Sequence, residues 1–154
     1  VDMNYNIKNE VKMMNKMEID YDAFIPIFKR VVIGNLRVNE EDLADHGGKT
    51  AFQIIGFDVD EISKECRVNS STKSCRISDI FVRDSVIIGS KQGFNMKNVD
   101  NFKLKNVVIK GTTEKDDVIN CTNILFSNCD FRKSLIKRSS FPESSLSFDN
   151  TYFD

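Results

Sequence analysis

Tryptophan is missing from this 154-residue chain, histidine occurs once and proline twice. No apolar run approaches the 18 or so residues that span a bilayer, so no membrane helix is expected. Neither sign of charge dominates: 22 Lys and Arg face 23 Asp and Glu, for a formal net charge of −1. That balance excludes a strongly basic nucleic-acid binder and an acidic disordered tail. The opening Val1-Asp2-Met3-Asn4 lacks the basic stretch and apolar core of a secretion signal, which reads as a mature, trimmed or cytosolic start. The length suits one domain, and 40% hydrophobic residues suffice for a core. Phenylalanine is common, at 12 against 3 Tyr.

None of the four cysteines, Cys66, Cys75, Cys121 and Cys129, forms a Cys-x-x-Cys pair, and the only histidine is His46. A zinc centre would need ligands scattered along the chain, and no metal or cofactor is expected. Cys66 and Cys75 bracket a polar stretch that can bring its ends together. A disulfide between them in an oxidising compartment and two free thiols are both open readings. Cys121 and Cys129 flank an extended segment that spans roughly 25 Å, too far for one bond. They are expected to be buried thiols packed as small apolar groups.

What the chain does have is a period. Asp84, Asn106, Asn128 and Asn150 are each 22 residues apart, and an earlier copy centres on Asn35. The positions four and two before each are apolar in every copy. The positions one and three after are apolar in eight of ten cases, with Ser85 and Thr151 the exceptions. Apolar residues at every second position indicate strands, and the Asn/Asp sits where the alternation changes phase. Two short strands separated by a bend, repeating every 22 residues, describe one coil of a stacked array. The fold class expected is all-β: a right-handed parallel β-helix, or solenoid, of about five to six coils of about 22 residues.

Stacking such coils places equivalent residues in inward columns. One is Ile80, Phe102, Ile124 and Leu146; another is Val82, Leu104, Phe126 and Phe148; a third is Ile87, Ile109, Phe131 and Phe153. Asn35, Asp84, Asn106, Asn128 and Asn150 should occupy the bend and pass hydrogen bonds along a ladder, because Asn tolerates unusual backbone angles there. The distance from Asn35 to Asp84 is two periods plus five, so one further turn is expected between them, through Ala51–Gly56 with an insertion. Gly93–Asn98 and Asp117–Asn120, offset by about one period, read as a third strand. The matching stretch at 132–144 is more basic and irregular.

Residues 1–25 read as a lead-in, a cap or a continuation of upstream coils, and 26–154 as the coils, with loops at 39–48 and 58–74. The array reaches almost to Asp154 with no capping helix, and open ends expose core and unpaired backbone. The chain is therefore expected to be part of a longer β-helix or to stack on another chain.

The stretch Ile25–Val38 (Ile-Pro-Ile-Phe-Lys-Arg-Val-Val-Ile-Gly-Asn-Leu-Arg-Val) resembles a segment late in glycoside hydrolase family 28, the polygalacturonases and related pectinases. Pro26, Phe28 and Lys29 match or nearly match a Pro-x-Phe-Arg-Asn-Ile pattern that opens a coil there, while Arg30 replaces the usual Asn. Lys49–Gly56 resembles the Ala-x-x-Ile-x-Gly turn that follows, and Ile77–Asp84 and Asn123–Asn128 resemble its Asn-Ile-x-Phe-x-Asn coils. The resemblance runs from about residue 20 to the end.

It implies inverting hydrolysis of a glycosidic bond by carboxyl groups roughly 6.5–9.5 Å apart. The motifs that supply them are not in this chain. Asn-Thr-Asp is absent, since Asn150-Thr-Tyr152 ends in the wrong residue. Asp116-Asp117 follows a lysine and reads as a solvated turn. Asp45-His46-Gly47 keeps only His-Gly, and Arg76-Ile77-Ser78 lacks the lysine. No catalytic residue is therefore assigned. His46 and nearby Lys49 are the candidates for substrate binding; the plainer reading makes them a loop histidine and a solvated lysine. Asn69-Ser-Ser and Asn120-Cys-Thr fit the glycosylation rule, the second incidentally.

The expected role is to supply C-terminal coils of a polygalacturonase-like protein, secreted or at the cell surface, acting on a uronic-acid polysaccharide. The competing role is a non-catalytic β-solenoid for carbohydrate binding, adhesion or assembly. Expected partners are the polysaccharide and upstream coils or another copy at the open ends, with no nucleic acid and no membrane.

Overall fold

The computed structural model describes residues 28–39, 49–56 and 77–154. The lead-in at 1–25 lies outside them. So do the loops at 39–48 and 58–74, Asn39 excepted. Nine strands occur among the described residues: β1 (Lys29–Gly34), β2 (Arg37–Asn39), β3 (Thr50–Ile55), β4 (Ile77–Ile88), β5 (Gln92–Lys97), β6 (Val99–Lys110), β7 (Asp117–Ile119), β8 (Thr122–Ser127) and β9 (Leu146–Asp149). The only helical piece among the described residues is a 3-10 turn at Arg138–Ser140. The described part of the chain is all-β, as its alternating pattern predicts.

The strands form a long sheet in the order β1-β4-β6-β8-β9, with β2 alongside β4, and a short sheet in the order β3-β5-β7. Every pairing is parallel. Ile80 pairs with Phe102, Phe102 with Ile124, and Ile124 with Leu146, so each step equals the sequence period. The short sheet keeps the same step, Asn95 to Asp117. Parallel neighbours need a crossover of a dozen residues or more, and here the short-sheet strand lies within it.

The further turn expected between Asn35 and Asp84 does not exist. Val31 pairs directly with Ile80, and Phe52 pairs directly with Phe94, so no rung lies between them. The same long offset carries the Leu36 N–H to Ser85 Oγ at 3.1 Å. Ala51–Gly56 is thus the short-sheet part of the same repeat. The surplus over one period falls mostly after β3, between Gly56 and Ile77, with a smaller part before it. Spacing arithmetic cannot tell an inserted loop from a further rung, because loop length is weakly constrained energetically.

The inward columns are as the alternation demands. Ile80, Val82 and Ile87, Phe102, Leu104 and Ile109, and Ile124, Phe126 and Phe131 are all buried. Phenylalanine fills the space between the sheets. Phe94 stacks on Phe52 at 5.6 Å and on Phe126 at 5.8 Å, and meets Phe102, Phe131 and Phe141 edge-on. Residues 132–144 form no strand. Ile136 and Phe141 turn inward from this basic stretch and are buried, and Phe141 packs on Phe126 at 5.1 Å.

The described residues with positive φ all fall into four columns. Asn35, Asp84, Asn106, Asn128 and Asn150 form one; Arg30, Asp79, Asn101 and Asn123 a second; Asn98 and Asn120 a third; Gly89, Gly111 and Lys133 a fourth. Left-handed backbone costs an ordinary residue roughly 1–2 kcal/mol, and Asn, Asp and Gly adopt it most readily. The composition of the columns follows from that.

Candidate functional site

At the first bend the side chains join. Asn106 Nδ2 donates to Asp84 Oδ1 at 2.8 Å, Asn128 Nδ2 to Asn106 Oδ1 at 3.4 Å, and Asn150 Nδ2 to Asn128 Oδ1 at 2.8 Å. Asn35 shares the bend conformation and meets the next rung through its backbone N–H, which donates to Arg83 O at 3.2 Å. The Asn106 amide hydrogen bond, with lesser help from Arg83 and Lys105, holds the Asp84 carboxyl below its ordinary range against an opposing effect of desolvation. Similar bonds link Asn101 to Asp79, Asn123 to Asp100 and Asn120 to Asn98. These further bonds were missed in the sequence, although Asp79, Asn101 and Asn123 recur at the same period, as do Asn98 and Asn120. Asn120, in a glycosylation motif, commits its amide to Asn98.

Ser85 and Thr151, the exceptions to the apolar pattern, stand in one column with Cys129. Each donates to the carbonyl two residues back: Ser85 Oγ to Arg83 O, Cys129 Sγ to Ser127 O and Thr151 Oγ1 to Asp149 O. A small donor at this position satisfies a carbonyl at the bend, so polar side chains are tolerated facing the core. Cys121 bonds Ile119 O in the same manner. Cys121 and Cys129 are buried free thiols, as expected, and burial raises the Cys129 pKa. Such thiols are unreactive.

Asp116 departs from the solvated turn expected for it. Its Oδ1 accepts the backbone N–H of Phe94 at 2.9 Å, and its Oδ2 is buried without a hydrogen-bond partner. Burial pushes its pKa up to about 6, opposed by the N–H groups of Phe94 and Gly93. A Cβ on Gly93 would lie 2.6 Å from Ile136 Cδ1 and 2.9 Å from Asp116 Oδ1, so only glycine lets this carboxylate approach the strand. Asp117 is exposed. A carboxyl with a raised pKa is a candidate acid. Asp116, however, is spent on capping the strand and is wedged beside Ile136.

Of the substrate-binding candidates, His46 lies outside the described residues. Lys49 is exposed just before β3, and its carbonyl accepts the Lys91 N–H at 3.0 Å. Cys66 and Cys75 also lie outside the described residues. The outer face of the long sheet presents a different set. Pairing places Val32, Phe81, Lys103, Leu125 and Ser147 in one outward column and Gly34, Arg83, Lys105, Ser127 and Asp149 in the next. Arg83 is bonded to Asp84 at 2.9 Å. Lys103 and Lys105 are exposed with no ion-pair partner among the described residues, and half-buried Phe81 and Leu125 flank Lys103 in its column. Further along the same face, Asp130 is held at a pKa of about 2, chiefly by Arg132 hydrogen bonds, and Lys110 approaches it at 3.7 Å. Arg132 also lies over the Tyr152 ring at 4.8 Å.

Among the described residues no group of three or more His, Cys, Asp or Glu is placed to hold a metal, and no helix is long and apolar enough to cross a membrane. Comparison with known proteins finds no match among family models, curated proteins or solved structures.

Proposed function

We propose that the chain is a right-handed parallel β-helix whose long-sheet exterior binds an extended anionic polysaccharide of the uronic-acid type, serving as scaffold and binding surface. The hand follows from the strong preference of parallel crossovers for right-handed connection. The observation that carries the binding role is the pair Lys103 and Lys105, outside any ion pair among the described residues and on adjoining columns, with Lys103 between Phe81 and Leu125 and Lys105 between Arg83 and Ser127. Ammonium groups suit carboxylates, and apolar surface suits the C–H faces of sugar rings. The resemblance to pectinase coils points to the same substrate class. In that setting the chain contributes coils to a polygalacturonase-like protein, secreted or at the surface, whose acid and base reside elsewhere.

Affinity electrophoresis in gels containing polygalacturonate tests this. Retardation is expected with polygalacturonate, should weaken with salt, and should be lost in Lys103→Glu/Lys105→Glu. Equal retardation in dextran, or unchanged retardation of the double variant, overturns the binding role. Release of reducing ends by the chain alone would contradict the scaffold role.

A further inference from the structure

The two ends of the long sheet carry the same pattern. Among the described residues, nothing pairs with the outer edge of β1 or of β9. At the β1 end, Phe28, Val31, Ile33, Ala51 and Phe52 line an apolar hollow of about 170 Å³ that reaches inward to Ile80 and Val82. Ile33 points into the inward column of Val82 yet remains 38% exposed. At the β9 end, Phe148 of that same column is 40% exposed.

Adding one more step to the column pattern sets Leu146 against Val31, Phe148 against Ile33, Asn150 against Asn35 and Phe153 against Val38. Apolar residues meet apolar ones, as in every internal step, and Asn meets Asn, as in the steps from Asn106 to Asn128 and from Asn128 to Asn150. The strand segments differ in charge: residues 28–39 carry Lys29, Arg30 and Arg37 and no acid, and residues 143–154 carry Glu143, Asp149 and Asp154 and no base, while Arg138 from the preceding stretch lies over the Phe148 ring at 4.8 Å. In that register Arg37 comes beside Tyr152, a ring that already receives Arg132.

We propose that a second copy of this chain stacks head to tail on the first, β9 of one pairing in parallel with β1 of the next and continuing the column order across the junction. The interface is heterologous: each copy has one donor end and one acceptor end, so assembly is open-ended. This rests on the strand register and the charge of the two end strands and is independent of polysaccharide binding, but it competes with upstream coils of the same protein for the β1 edge.

Sedimentation of the full chain over a concentration series, with two variants, tests it. Ile33→Asp blocks the β1 end and Phe148→Asp blocks the β9 end, each placing a charge at an already half-open position. The expected result is a wild-type mass that climbs past two protomers with concentration. Each variant alone stays monomeric with an unchanged circular dichroism spectrum, and an equal mixture of the two forms dimers that grow no further. A wild-type chain that stays monomeric overturns the proposal, including the case where hydrogen exchange shows the outer edge of β1 protected within the monomer by residues 1–27. A closed wild-type dimer indifferent to both variants also overturns it. If either variant loses its β spectrum, Lys29→Glu/Arg30→Glu on the exposed first rung replaces it. Unweakened association of that double variant counts against the register.

Discussion

Asn106 accepts an amide from Asn128, donates one to Asp84 and holds a φ of 55°. Replacing it with alanine removes both bonds and leaves a Cβ-bearing residue in left-handed backbone without local support. Asn106→Ala should cost about 2 kcal/mol in chemical unfolding, and Asn106→Gly less, since glycine loses the bonds but accepts the angle. Lys133 gives the opposite case. It sits at φ 64° in a column otherwise made of Gly89 and Gly111. Lys133→Gly should raise stability by about 0.5–1 kcal/mol, the relief of strain exceeding the entropy glycine brings to the unfolded chain. Asp116 governs the response to acid. Its native pKa of about 6 lies above the ordinary 3.8, so the folded state holds the proton more tightly. Stability should therefore rise as pH falls from 7 towards 5, by about 1 kcal/mol after allowing for partial solvation. Asp84 and Asp130 are shifted down, so their stabilisation is lost in stronger acid as they protonate. Melting temperatures should thus pass through a maximum in mild acid, and Asp116→Asn should flatten the slope between pH 5 and 7.

Among the elements, the short sheet and the irregular stretch after β8 meet the long sheet through Phe94, which is fully buried among five other rings. Phe94→Ala should cost about 3–5 kcal/mol, measured by denaturant titration, because rigid strands on both sides limit collapse of the cavity. How much of this was legible varies by element. The long-sheet strands were readable because Ile80, Val82 and Ile87 recur in kind at every period, and burial enforces that recurrence. The plug formed by Ile136 and Phe141 was not, because it fills volume without a ladder and so leaves no period. The inward turn of Asp116 was also hidden. It depends on the missing side chain of Gly93 one rung away, a contact that local sequence does not reveal. The second bend column was disguised by Arg30 at its first position.

Taken whole, the described strands stack in two parallel sheets, each strand contacting mainly its neighbours, so interior and edge defects should differ in cost. The same register that orders the core aligns Lys103 and Lys105 outside it, and among the described residues no strand pairs with the outer edges of β1 and β9. The central claim is that segments one period apart lie side by side and run in the same direction. Nuclear Overhauser contacts in isotope-labelled protein test it most directly. The account predicts amide-to-Hα contacts between the segments around Asn106 and Asn128, with methyl and ring contacts along Val82, Leu104 and Phe126. Strong Hα–Hα contacts between those segments, the mark of antiparallel pairing, or no contact between them at all, would contradict it.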